Sequence, residues 1–149
     1  MEGEERGQSE AIARNLAVMS SLKTKILVVV SGEGGSGGAL ALGVGDHIAI
    51  LEYGTYSVAS PEACASIVWR ESDKAPQAAE AMKVGANDLK KIGIVDEIIS
   101  EPIGGAHQDY DTISASIKLS LLTNIAELSK FSQEELLQRR YQRLLKIGA

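Results

Sequence analysis

Cysteine is nearly absent. Cys64 stands alone among 149 residues, so no internal disulfide can form and a reducing compartment suits the chain. One cysteine with two histidines, His47 and His107, argues against a structural zinc site built from this chain alone. Aromatic residues make up only 4% of the sequence, so the core must come from the Ala, Val, Ile and Leu within its 44% hydrophobic content. Positive charge is in deficit: 15 Lys and Arg against 20 Asp and Glu leave a net −5, which points away from a nucleic-acid binder. Long apolar runs are missing too. The longest, Ile26–Val30, falls far short of the ~20 residues that cross a bilayer, and no signal-peptide pattern precedes it. The sequence shows no internal repeat, low-complexity tract or long linker. At this length one domain, or a large part of one, is expected.

What is present alternates between strand and helix signals, which makes the class α/β. Ser9–Lys23 reads as a helix capped by Ser9, with Ile12, Leu16 and Met19 on one face. Lys25–Ser31 is almost continuously apolar, as a strand buried on both faces would be. A glycine cluster follows, then a short helical piece at Ala39–Val44. His47–Tyr53 and Thr55–Ser60 predict two more strands around Gly54. Ser60-Pro61-Glu62 marks a helix start: a capping serine, proline at the first helical position and an acid in the first turn. Lys74–Lys83 and Ala86–Ile92 are further helical pieces, Gly93–Ser100 a short strand, and the segment from Pro102 to Asp109 a loop. Thr112–Lys130 has helical periodicity through Ile113, Ile117, Leu121 and Ile125. The last helix opens with a capping box, Ser132 and Glu135. Its basic run of Arg139, Arg140, Arg143 and Lys146 is read first as a solvated face and second as a partner surface.

The segment from Val28 to Asp46, VVVSGEGGSGGALALGVGD, raises the functional question. Three mechanisms place glycines after a strand. A Walker-type phosphate loop fails, because Gly38 and Ala39 stand where Lys and Ser/Thr are required. A dinucleotide fingerprint is met in form by Gly32, Gly34 and Gly37, with Glu52 where a ribose-binding acid belongs. Against it, the space between Gly37 and Asp46 looks too short for a parallel crossover. The third is an oxyanion hole, in which unpaired amides at a helix start converge on one oxygen and glycine clears the space before them. Gly34–Gly38 and the short segment after them suit that best. A tight, closely packed turn without chemistry is the plain alternative.

Six blocks then carry a resemblance: EERGQSEAIARNL, GEGGSGGALALGVGD, TYSVASPEACASIVW, DKAPQAAEAM, SEPIGGAHQD and RRYQRLL. Together, in order and through nearly the whole chain, they resemble the α subunit of the acetyl-CoA carboxylase carboxyltransferase of the multisubunit bacterial or plastid type. The resemblance implies a crotonase-like (ClpP-like) α/β spiral of ββα units, present here in part. Residues 1–105 would form the partial spiral core and residues 106–149 the C-terminal helices. It implies transfer of a carboxyl group from carboxybiotin, held on the biotin carboxyl carrier protein, to acetyl-CoA, giving malonyl-CoA for fatty acid biosynthesis.

Carried onto this chain, the biotin-side oxyanion hole is the amide pair of Gly37 and Gly38, with Gly34 and Gly35 shaping the turn. Tyr56 and Ser60 would be pocket neighbours, together with Ser57 and Cys64, each with a structural role as the simpler alternative. Biotin is the implied cofactor. Zinc is expected on the partner β subunit and none on this chain. The implied assembly is an α2β2 heterotetramer, in the bacterial cytoplasm or the plastid stroma, with neither nucleic acid nor membrane as a partner. His107 tempts toward base chemistry but is read as a loop histidine satisfied by its neighbours.

The family's N-terminal half has no counterpart here. The chain is therefore expected to be a fragment, a split gene product or a shortened piece, and activity in isolation is open. A module that docks subunits without turnover, and a dinucleotide-binding domain using Gly32, Gly34, Gly37 and Glu52, stay as alternatives.

Overall fold

The β-branched run after Lys25 and the apolar run after Asp46 become neighbouring strands. The computed structural model describes residues 2–147. Two helices open the chain, α1 (Glu2–Glu5) and α2 (Gln8–Ser21), then strands β1 (Leu27–Val30) and β2 (Glu33–Gly35) and helix α3 (Ser36–Leu42). Strands β3 (His47–Leu51) and β4 (Thr55–Ser57) follow, then helices α4 (Pro61–Trp69), α5 (Ala75–Met82) and α6 (Ala86–Lys91). Strand β5 (Glu97–Ile99) and the helices α7 (Tyr110–Leu128) and α8 (Gln133–Leu145) complete the described chain.

Strands β1, β3 and β5 form one parallel sheet with β3 in the middle. Strands β2 and β4 form a second, two-stranded parallel sheet. The strand covered on both faces is β3 rather than β1. Ile48 and Ile50 pack with Val28, Val30, Ala86 and Leu89, while Ala49 and Leu51 pack with Ile99 and Ile113. The sheet is thus sandwiched between α6 and α7. Strand β1 lies at an edge, where Leu27 and Val29 stay half-buried. It also begins later than its apolar run, because the Ile26 amide donates to the Asp46 carboxylate at 2.7 Å instead of joining a ladder.

Local caps decide several boundaries. Ser60 accepts from the Ala63 amide at 3.1 Å and starts α4 with proline in the first turn, as its sequence predicts. Ser132 and Glu135 form the full capping box of α8. Helix α2, however, is not capped by Ser9. Its N-cap is Gly7, whose φ of 78° lets the chain break sharply from α1. Helix α7 starts two residues earlier than its periodicity suggests, because Asp109 accepts from both the Thr112 amide and the Thr112 hydroxyl.

The basic run of α8 departs most from expectation. Arg139 and Lys146 are exposed, but Arg140 is only 1% accessible. Its guanidinium binds both oxygens of Asp46 at 2.8 Å and the carbonyls of Met19, Leu22 and Thr24 at 2.7–2.9 Å. It therefore gathers carbonyls at and just beyond the C-terminal end of α2. Arg143 pairs with Asp96 and donates to the Ile94 carbonyl. These two arginines fasten the last helix to the start of the sheet.

Candidate functional site

The glycine segment does not run from β1 straight into a helix. Residues Glu33–Gly35 form β2, paired in parallel with β4 so that Gly34 stands opposite Tyr56. A Cβ at Gly34 would sit 2.8 Å from the Tyr56 ring, so only glycine allows this approach. Past Gly34 the Tyr56 hydroxyl donates to the Ala39 carbonyl in α3 through a short hydrogen bond. One side chain thereby ties the second sheet to the helix. Burial pushes the Tyr56 phenol above its usual value, with the Arg143 charge partly opposing.

Between strand and helix stands Ser36, with φ at 53°. A non-glycine residue in this left-handed region is strained, and such residues gather where a fold must aim its backbone. Sequence reading missed it, since only the run of glycines around it hints at an unusual turn. Gly35 is the N-cap of α3 and offers no side chain. Ser36, Gly37 and Gly38 are the first three helical residues, and with the Gly35 N-cap they carry the four amides that have no acceptor within the helix. Gly37 is covered by Ile12 of α2, 3.5 Å from where its Cβ would be, while a Cβ at Gly38 would meet nothing within 4 Å.

Two cavities adjoin this elbow, and neither is lined by Gly37 or Gly38. One, of about 320 Å³, lies against the later part of α3 and is walled by apolar side chains including Val44, Leu89 and Ile147, with Tyr56 at its edge. The other, of about 710 Å³, opens beyond the carboxyl ends of β1, β3 and β5, where parallel sheets commonly bind ligands. Ser31, Gly32, Tyr53, Glu101, His107 and Tyr110 line it. Glu101 builds this rim, accepting from the Tyr53 and Ala106 amides at 2.8 Å each. Tyr53, Glu101 and Tyr110 were not singled out from sequence, although Tyr53 ends a predicted strand, Glu101 follows one and Tyr110 starts α7. His107 contacts the Gln108 side chain at 2.9 Å.

The other predicted residues have plain structural partners. Ser60 caps α4, and Ser57 donates to the Ala59 carbonyl at 3.0 Å. Cys64 is half-buried and free. Among the described residues no cluster of His, Cys, Asp and Glu could hold a metal ion, and no helix is long and apolar enough to cross a membrane.

The dinucleotide alternative loses its geometry. Its fingerprint requires a glycine turn passing directly from strand to helix, yet here a paired strand carrying Gly34 lies between Gly32 and Gly37. Glu52 accepts from the Glu101 amide at 3.1 Å. The crossover objection itself was misplaced. Strands β1 and β3 do pair in parallel, because the connection begins at Ser31 and includes β2 as well as α3.

The family model described as acetyl co-enzyme A carboxylase carboxyltransferase-like matches residues 1–148. The chain belongs to this family. Among carboxyltransferase α subunits, that of Photobacterium profundum is 60% identical over 145 residues, covering 97% of this chain and 46% of the relative. The Vibrio cholerae subunit matches equally well, and that of Pseudoalteromonas atlantica is 57% identical over the same length. The chain thus spans about half the length of the curated relatives it matches. The fold is crotonase-like α/β. A solved Pseudomonas malonate decarboxylase hetero-tetramer in complex with coenzyme A superposes with a TM-score of 0.58 at 17% identity, covering 68% of this chain and 42% of that one.

Proposed function

We propose that this carboxyltransferase-family chain forms the biotin-side part of an acetyl-CoA carboxyltransferase. The whole enzyme would move a carboxyl group from carboxybiotin to acetyl-CoA and release malonyl-CoA. The observation that carries the reading is the strand-to-helix elbow at Gly34–Gly38, in a chain whose family match runs through residues 1–148. There a strained Ser36 turns the backbone, and two glycines open the helix. A Cβ at Gly38 would meet nothing within 4 Å, so no side chain crowds that position. When bound, biotin would supply the carboxyl group, and its ureido oxygen would be the acceptor that an amide pair could hold.

The chain's own contribution is positional and electrostatic. The Gly37 and Gly38 amides, at the positive end of α3, would donate to that oxygen. Gly34 and Gly35 shape the turn. Tyr56 fixes α3 against β4, and Ser60 holds the start of α4, so both would border the cleft without acting on substrate. The remaining parts are assigned to partners: a β subunit that holds the acyl thioester, carries the zinc and completes an α2β2 assembly, and a carrier protein that delivers biotin.

The test is reconstitution. The chain is mixed with the β subunit, biocytin and malonyl-CoA, and acetyl-CoA release is followed, with a full-length relative as the positive control. Gly38→Val keeps the amide but sets a branched side chain beside it, and should slow turnover by about 10²–10³, the worth of one oxyanion donor, while leaving the circular dichroism spectrum unchanged. If the chain binds the β subunit equally well with and without the substitution, and neither form turns over, the chain is a docking module and the proposal fails.

A further inference from the structure

Helix α8 presents a second concave surface on the side remote from the glycine elbow in sequence. A cavity of about 530 Å³ lies between α8, the turn from α6 to β5 and the end of α7. Its charge runs against that of the chain. Four cationic side chains, Arg139, Arg140, Arg143 and Lys146, face two carboxylates, Asp46 and Asp96, on a protein of net charge −5.

The cations are not equivalent. Arg140 spends all its N–H groups on Asp46 and backbone carbonyls, so it belongs to the floor. Arg143 uses three donor contacts, to Asp96, Gly43 and Ile94, and a guanidinium has five N–H groups, so two remain. Arg139 lies over the Phe131 ring at 4.1 Å, a contact that steadies the group without consuming its N–H donors. Among the described residues no carboxylate pairs with Arg139 or Lys146. Gln138 and Gln142 add neutral amides to the same wall.

Spacing selects the ligand. Arg139 and Arg143 on α8 and Lys146 at its C-cap follow at i, i+4 and i+7, spanning about 10 Å along the axis at ~1.5 Å per residue. Three cations match the charge of a diphosphate better than that of a single phosphate group, and the volume suits a nucleotide-sized molecule. We infer that this cavity binds a ligand bearing a diphosphate, held by Arg139, Arg143 and Lys146. The site stands independently of the carboxyl-transfer proposal. The diphosphate can come from coenzyme A or from a free nucleotide.

Phosphorus-31 NMR titration of the full chain with inorganic pyrophosphate, ADP and coenzyme A tests the inference. Saturable pyrophosphate binding is expected, weakening as NaCl rises. The double variant R139Q/K146Q should bind at least about tenfold more weakly, given the strength of charge-assisted hydrogen bonds. The variant K83Q/K118Q removes the same charge elsewhere and should bind as the wild type does. Coenzyme A binding more tightly than ADP would assign the site to the acyl carrier; ADP binding as tightly or more so would assign it to a free nucleotide. Absence of saturable pyrophosphate binding overturns the inference, as does equal weakening, or no weakening, in the two double variants.

Discussion

Arg140 and Asp46 lie 94 positions apart in the chain, yet they form a doubly bonded ion pair with side chains 1% and 2% accessible. Each charge is fully committed. Asp46 also accepts from the Ile26 amide, and Arg140 also serves the end of α2. Removing one partner strands the other in a dry interior. Arg140→Met should lower unfolding stability by about 3–5 kcal/mol, read from urea denaturation. Combining it with Asp46→Asn should cost much less than the sum of the single losses, since the charge is then removed from both sides.

The contact between Gly34 and Tyr56 makes a second expectation. Gly34→Ala places a methyl 2.8 Å from the Tyr56 ring and should destabilise by about 1–3 kcal/mol. Gly38→Ala meets nothing within 4 Å and lies in a helix, so it should gain about 0.5–1 kcal/mol. Thermal unfolding of the two variants beside the wild type separates them by sign.

Ser36 holds a left-handed backbone without being glycine. A β-branched side chain tolerates that conformation worst. Ser36→Val should cost about 1–2 kcal/mol, whereas Ser36→Asn should be close to neutral. Equal chemical-denaturation midpoints for the two variants would show that the elbow is relaxed.

Glu97 gathers His47, Ser120 and Asn124 on one carboxylate oxygen, at 2.8–3.0 Å. Burial raises its carboxyl pKa, but the hydrogen bonds from Ser120, His47 and Asn124, together with the His47 charge, outweigh that and leave it below the usual glutamate value. A folded pKa below the unfolded one means that the stabilisation is present above the ordinary glutamate range. It drains away as pH falls through the lowered value. Urea midpoints between pH 6 and pH 3 should therefore fall more steeply for the wild type than for Glu97→Gln.

Local chemistry was the legible part of the sequence. The Ser60 and Ser132 caps and the β3 strand are written within a few residues of themselves, and the glycine cluster marked the elbow. Strand β2 was invisible, because Glu-Gly-Gly has no strand preference and is held only by its register with β4. Arg140 looked solvated because helical spacing puts it in a basic run, while its carboxylate partner lies in a different part of the chain. The cavity near Glu101 and His107 was hidden for the same reason: it is assembled from the ends of three strands far apart in sequence.

The clasp made by α8 also sets an order of events during synthesis. The Met19 and Leu22 carbonyls leave the ribosome 121 and 118 residues, and the Asp46 carboxylate 94 residues, before the guanidinium that binds them. Until then the N-terminal segment has an unfinished joint, exposed to proteases and chaperones. A nascent chain halted before Arg140 should be cleaved near residues 22–26, and one halted after it has fully emerged should resist.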